Sequence, residues 1–258
     1  MNEQSTGSRG VVEGAVIDAP FALSIAFQPI VDVRARRVYA YEALVRGLGG
    51  EPACEVLSKV TDENRSLIDQ TCRANALTLA ANLKLAQTGA SLSINFMPGT
   101  VYGPGECMQL TLDSAQRCGF PLEQLIFEIT EDEEVRNRVQ LAYTVEEYRR
   151  RGLRIALDDF GAGHSGLTLL ASIPTDIVKL DKELISNLHN RPAAMTIVRA
   201  MLELCRTLGS DLIAEGVETE QEYKALCRCG VHLMQGYLFA RPTFEELGRV
   251  NWPARLSF

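Results

Sequence analysis

Polar side chains punctuate a series of otherwise apolar runs. Glu42 lies in Tyr-Ala-Tyr-Glu-Ala-Leu-Val, Asn95 in Ser-Ile-Asn-Phe and Glu128 in Ile-Phe-Glu-Ile-Thr. Asp158 and Asp159 close Ile-Ala-Leu-Asp-Asp, Lys179 and Asp181 follow Ile-Val, Glu215 ends Leu-Ile-Ala-Glu, and Gln235 ends Leu-Met-Gln. A single charge in a buried strand costs several kcal/mol unless it is paired or ligated. Repetition over successive strands points instead to convergence on one pocket, where mutually repelling carboxylates call for a cation. Oxygen donors with an Asn carbonyl and no neighbouring His or Cys favour hard Mg²⁺ or Mn²⁺ over Zn²⁺. The adjacent Asp158 and Asp159 could serve two ions in phosphoryl chemistry, with Lys179 orienting a water or neutralising phosphate.

Convergence needs a scaffold. Strand-like runs at Ser24 to Ile30, Val38 to Arg46, Ser91 to Met97, Leu125 to Thr130, Leu153 to Asp158, Ile177 to Leu180, Asp211 to Glu215 and Leu233 to Leu238 alternate with amphipathic stretches such as Arg65 to Gln87 and Gly105 to Cys118. From Ser91 onward the strand starts lie 22 to 34 residues apart, the size of a strand and helix unit. Eight such strands predict an α/β fold, a (β/α)₈ TIM barrel, a class that usually needs about 250 residues. The polar residues then gather at the C-terminal ends of the strands. An open doubly wound sheet is the structural alternative.

Composition narrows the function further. The 258 residues are 46% hydrophobic and 23% charged, which excludes a disordered or coiled-coil chain. With 26 Lys plus Arg against 33 Asp plus Glu, the net charge of -7 argues against binding to a DNA or RNA polymer or to an anionic membrane. No apolar run approaches the ~20 residues of a bilayer span, so membrane insertion is not expected. Seven scattered cysteines suggest neither a disulfide framework nor a zinc ribbon, and reduced thiols fit a cytoplasmic protein. Cys227 and Cys229 read as small buried hydrophobes, His189 and His232 as structural, and the run Glu146 to Arg151 as a solvated helix face. Residues 1–19 are polar and aperiodic and read as a flexible tail or linker, leaving 20–258 as one domain.

Taken together, the motifs resemble the EAL family of bacterial cyclic di-GMP phosphodiesterases from about Phe27 to Pro242. They are Phe27-Gln28-Pro29-Ile30, Glu42-Ala43-Leu44-Val45-Arg46-Gly47, Ser93-Ile94-Asn95, Phe127-Glu128-Ile129-Thr130-Glu131, Asp158-Asp159-Phe160-Gly161, Val178-Lys179-Leu180-Asp181, Ala214-Glu215-Gly216-Val217-Glu218 and Gln235-Gly236-Tyr237. The resemblance implies a modified barrel whose first strand is antiparallel, frequent homodimers, and hydrolysis of cyclic di-GMP to linear pGpG in bacterial signalling. It implies one metal on Glu42, Asn95, Glu128 and Asp158 and a second on Asp158 and Asp159. Glu215 with Lys179 would activate the attacking water, supported by Gln235. Gln28, Leu44 and Arg46 would contact substrate, and Glu131 would anchor the Gly-rich loop after Asp159. Relatives are commonly joined to sensory or diguanylate cyclase domains. The loop usually reads Asp-Phe-Gly-Thr-Gly-Tyr-Ser-Ser, whereas Ala162, His164 and Gly166 stand here. That departure leaves a second reading, a catalytically weak or inactive cyclic di-GMP receptor, and a third, a protein-contact scaffold.

Overall fold

The computed structural model describes residues 21–96, 104–130, 138–163 and 166–254. The chain opens with a hairpin, β1 (Leu23–Asp32) against β2 (Arg37–Gly47), whose short turn is fixed by Asp32 Oδ1 accepting the N–H groups of Arg34 and Ala35. Short α1 (Ala53–Leu57) and long α2 (Arg65–Asn82) lead to β3 (Ser91–Asn95), α3 (Pro104–Cys118) and β4 (Leu125–Thr130). Then come α4 (Arg138–Arg150), β5 (Arg154–Phe160), α5 (Gly166–Leu170), β6 (Ile177–Leu180), α6 (Lys182–Ile185) and α7 (Pro192–Leu208). The chain continues through β7 (Asp211–Ala214), α8 (Glu220–Cys229), β8 (Leu233–Gln235) and a short β9 (Thr243–Phe244).

Strands β2 to β8 pair in parallel in chain order. β1 runs antiparallel to both β8 and β2 and thereby closes an eight-stranded barrel, while the short β9 pairs antiparallel with β1 at Ala26 and Phe27. This is a modified (β/α)₈ barrel with its first strand reversed. Because β1 is reversed, its start at Leu23 sits beside Gly47, at the same end of the barrel as the C-terminal ends of the other strands.

Alternation along each strand divides the molecule into two cores. Leu92, Ile94, Leu125, Phe127, Ile155, Leu157, Val178, Leu180 and Leu212 face outward into the large core shared with the helices. Ile30, Ala40, Ile126, Ala156, Ile177, Ile213 and Leu233 form a separate apolar layer inside the barrel. Below that layer a polar plug closes the far end. Arg154 donates to Tyr39 Oη at 2.7 Å and to Ser91 Oγ at 2.5 Å, and Tyr39 Oη donates to Asp211 Oδ2 at 2.8 Å. Above the layer lie the inward residues one alternation further on, which form the candidate site.

Two readings from the sequence shift in detail. The helix expected to reach Gln87 ends at Asn82, because Lys84 turns into the left-handed region at φ 57° and a 3₁₀ turn, Leu85–Thr88, follows. The run Glu146 to Arg151 is not wholly a solvated face. Tyr148 is buried edge-on against Phe96 and Phe127, and Arg149 forms a bidentate pair with Asp176, which also accepts the Ile155 N–H. Cys227 and Cys229 are buried, as expected, and no helix among the described residues is long and apolar enough to cross a membrane.

Candidate active site at the C-terminal end of the barrel

Lys179 is the centre of the cluster. Its side chain is 1% exposed, and its Nζ lies 2.7 Å from Glu215 Oε1, 2.9 Å from Glu128 Oε1, 2.9 Å from Asp158 Oδ1 and 3.9 Å from Glu42 Oε1. Four carboxyl groups thus share one ammonium, and the charge they could carry exceeds what it can neutralise. Burial alone would lower the pKa of Lys179, but Asp158, Glu128, Glu215 and Glu42 outweigh it and hold the pKa well above its usual value. The acids show the opposite response. Burial pushes Glu128 up to about 8 and raises Glu215 well above the carboxylate range, opposed in both cases by Lys179 and reinforced by neighbouring acids.

Glu42, at the centre of β2, accepts a 2.6 Å hydrogen bond from Gln235 Nε2. Gln235 also donates to Gln28 Oε1 at 3.2 Å, and Gln28 in turn donates to the Ala240 carbonyl. The antiparallel β1 therefore contributes Gln28 to the same polar end. Asn95 ends β3 half-buried, directly opposite Glu128 in the β3–β4 register. Leu44 and Arg46 lie two and four residues beyond Glu42 on β2, hence on its face of the strand nearer the rim, and both are half-buried. Glu131 and His164, to which the loop readings were attached, lie outside the described residues.

Asp159 shows how local backbone serves the site. In a regular strand Asp158 and Asp159 would point to opposite faces. The β5–β6 register shifts between Leu157 and Phe160, and Asp159 adopts φ 52°. As a result, carboxylate oxygens of Asp158, Asp159 and Glu215 lie within 4.8 Å of one another, as do those of Glu42, Glu128 and Asp158. Burial, followed by the charge of Asp158, raises Asp159 to about 6. Two oxygen triads sharing Asp158 could each hold a hard divalent cation. The donor set fits that role on a further observation: Glu128 Oε2 and Gln235 Oε1 are buried acceptors without a hydrogen-bond partner.

The Glu215 segment is wedged between its neighbours. Glu215 N–H donates to the Leu180 carbonyl on the Lys179 strand, and Val217 N–H to the Gln235 carbonyl on β8. Close approach requires glycine on both sides. A Cβ on Gly216 would fall 2.3 Å from Lys182 Cβ, and one on Gly236 would fall 2.1 Å from the Val217 carbonyl oxygen. Beyond the segment, Glu222 accepts the N–H groups of Asn187, Glu218 and Thr219. Burial would raise its pKa, but those backbone bonds lower it below the usual value.

Sequence reasoning gave Glu222 and Ser93 no role. Ser93 Oγ donates to Glu128 Oε1 at 2.6 Å. The signals for Ser93 were its place in the Ser93-Ile94-Asn95 motif and its two-residue spacing from Asn95. For Glu222 it was the Thr219-x-x-Glu222 capping pattern at the start of α8, which forms as a reciprocal capping box.

A sequence model described as the EAL domain matches residues 21–242. Among curated relatives, the blue light- and temperature-regulated antirepressor BluF of Escherichia coli K12 is 31% identical over 89% of this chain, which spans 57% of its length. The probable cyclic di-GMP phosphodiesterase PdeD of the same organism is 28% identical over 83% of the chain, which spans 40% of its length. Among solved structures, a standalone versatile EAL protein from Vibrio cholerae O395 in a c-di-GMP-bound form is 46% identical with a TM-score of 0.86. The match covers 90% of this chain and 97% of that one. Klebsiella pneumoniae BlrP1 in a manganese/cy-diGMP complex is 34% identical with a TM-score of 0.85, over 91% of this chain and 59% of that one.

Proposed function

The chain belongs to the EAL domain family, and from that premise we propose that it is a metal-dependent phosphodiesterase that hydrolyses cyclic di-GMP to pGpG in the bacterial cytoplasm. The observation that carries this reading is the pair of carboxylate triads sharing Asp158, with Lys179 Nζ 2.7 Å from Glu215 Oε1, a member of the second triad. Glu42, Asn95, Glu128 and Asp158 would hold one ion, and Asp158 and Asp159 the other, as Mg²⁺ or Mn²⁺. Such ions, when bound, lower the pKa of water and offset phosphate charge.

The protein's own groups supply the remaining steps. Glu215, whose side chain is 15% exposed, takes the proton of the attacking water. Burial gives its carboxyl the proton affinity a general base needs, while Lys179 at 2.7 Å favours its anion. Lys179 places a fixed positive charge where negative charge develops on phosphate. Gln235 holds Glu42 in its rotamer. Water oxygen forms the new bond to phosphorus and the bond to the ribose 3′ oxygen breaks; the departing oxygen takes a proton from solvent water, Glu215 returns its own to solvent, and a 5′-phosphate and a 3′-hydroxyl are left. Gln28, Leu44 and Arg46 line the rim where the rest of the nucleotide would rest, Arg46 offering planar donors to phosphate or guanine.

Chromatography of cyclic di-GMP incubated with the purified protein and Mg²⁺ or Mn²⁺ tests the reading. Metal-dependent pGpG that disappears with a chelator and in Glu215→Ala supports it. Undiminished turnover in Glu215→Ala defeats the mechanism. The 31% identity to a protein named as an antirepressor, with the departures at Ala162 and Gly166, favours one other reading, a non-catalytic cyclic di-GMP receptor. Tight binding without product would establish that alternative.

A further inference from the structure

We infer that Ser93 is a positioning residue of the ion site, fixing the Glu128 carboxylate so that Oε2 faces the cation. The inference rests on the metal-dependent reading above.

Ser93 lies inside the barrel, paired in register with Glu42 on one side and Ile126 on the other, and is 1% exposed. Its height is close to that of the apolar layer formed by Ile126, Ala156 and their neighbours. A hydroxyl there loses its hydration and must find a protein partner. The partner is Glu128 Oε1 at 2.6 Å, and the same oxygen lies 2.9 Å from Lys179 Nζ. Glu128 Oε2, by contrast, is buried and has no hydrogen-bond partner. One carboxylate oxygen is therefore occupied by two donors while the other is left for a ligand.

Lys179 alone cannot make this choice. Its ammonium is shared among Glu215, Glu128, Asp158 and Glu42 and would follow whichever oxygens were presented. The Ser93 hydroxyl bonds Glu128 from the neighbouring strand, whose Cα trace is fixed by the β3–β4 ladder, and so sets the carboxylate's rotation. Groups that orient metal-binding carboxylates in this way change affinity by about 10–100-fold when removed.

The test is Mn²⁺ binding, read from the electron paramagnetic resonance signal of free Mn²⁺ during titration of the wild-type protein, Ser93→Ala, Ser93→Thr, Glu128→Gln and the Ser93→Ala/Glu128→Gln double variant. Ser93→Ala is expected to bind Mn²⁺ about 10–100-fold more weakly, Ser93→Thr to recover within a few-fold because it keeps the hydroxyl, and Ser93→Ala to add nothing in the Glu128→Gln background. Affinity in Ser93→Ala within twofold of wild type would overturn the inference and leave the metal site standing. Additive losses in the double variant would overturn it too, since Ser93 would then act independently of Glu128. Absence of Mn²⁺ binding by the wild type would instead defeat the metal-dependent reading itself.

Discussion

Replacing Lys179 with Met keeps most of the side-chain volume and removes the one ammonium shared by Glu42, Glu128, Asp158 and Glu215. Removing one partner of a buried ion pair costs about 3–5 kcal/mol when the other charge remains. The acids can escape that cost by taking up protons, so the loss must depend on pH. Glu128 already titrates near 8, raised above its unfolded value, so its proton favours the folded state below that pH and the benefit is lost as pH rises through 8. Without Lys179 at least one further carboxyl joins it, and the folded state binds one more proton than wild type over this range. At about 1.4 kcal/mol per pH unit per proton, the destabilisation should grow by about 2.7 kcal/mol between pH 6 and pH 8. Urea denaturation of both proteins in a chelator at the two pH values measures it, and added Mn²⁺ should restore much of the loss at pH 8. A destabilisation equal at both pH values within about 0.5 kcal/mol would refute the shared-ammonium account, a margin comparable to the additivity of independent sites.

Metal uptake should itself displace the proton on Glu128. Affinity for Mn²⁺ should therefore fall about tenfold per pH unit below pH 8 for each proton displaced, and calorimetry in buffers of different ionisation enthalpy should register proton release near pH 7. Glu222→Gln keeps the shape of the α8 cap but cannot accept all three backbone N–H groups, and we expect a loss of about 1.5–3 kcal/mol at pH 7 in thermal unfolding. Because the folded pKa of Glu222 is depressed, its contribution is present above the unfolded value, about 4.3, and vanishes as pH falls through the folded pKa, so wild type and variant should converge in strong acid. Gly236→Ala would drive a methyl into the Val217 backbone, which carries the Glu215 segment, and should cost at least tenfold in kcat, about 1.4 kcal/mol of barrier. Full activity in that variant would show that the segment tolerates displacement.

The elements, and the convergence of polar residues on one end of the barrel, were largely legible along the chain because both rest on local rules. Apolar runs of strand length at helix-sized intervals can bury themselves only as repeated strand and helix units, and polar residues recurring at the ends of those runs, Glu42, Glu128, Asp158 and Lys179 among them, must then meet at one end of the barrel. β4 and β6 were found at their exact observed bounds, Leu125–Thr130 and Ile177–Leu180, since each is a short apolar run closed by polar residues. What the sequence could not give depends on contacts between residues far apart in it. The slipped register and left-handed turn that bring Asp159 beside Asp158 arise from β5–β6 pairing, whereas alternation alone would send the two side chains to opposite faces. Tyr39, Arg154 and Asp211 met as a plug only once β2, β5 and β7 had closed into a barrel. Ser93 reads along the chain as an ordinary strand serine. Only the register of β3 against β4 places its hydroxyl 2.6 Å from one oxygen of Glu128 and leaves the other without a partner, because a carboxylate's orientation is decided by its neighbours in space.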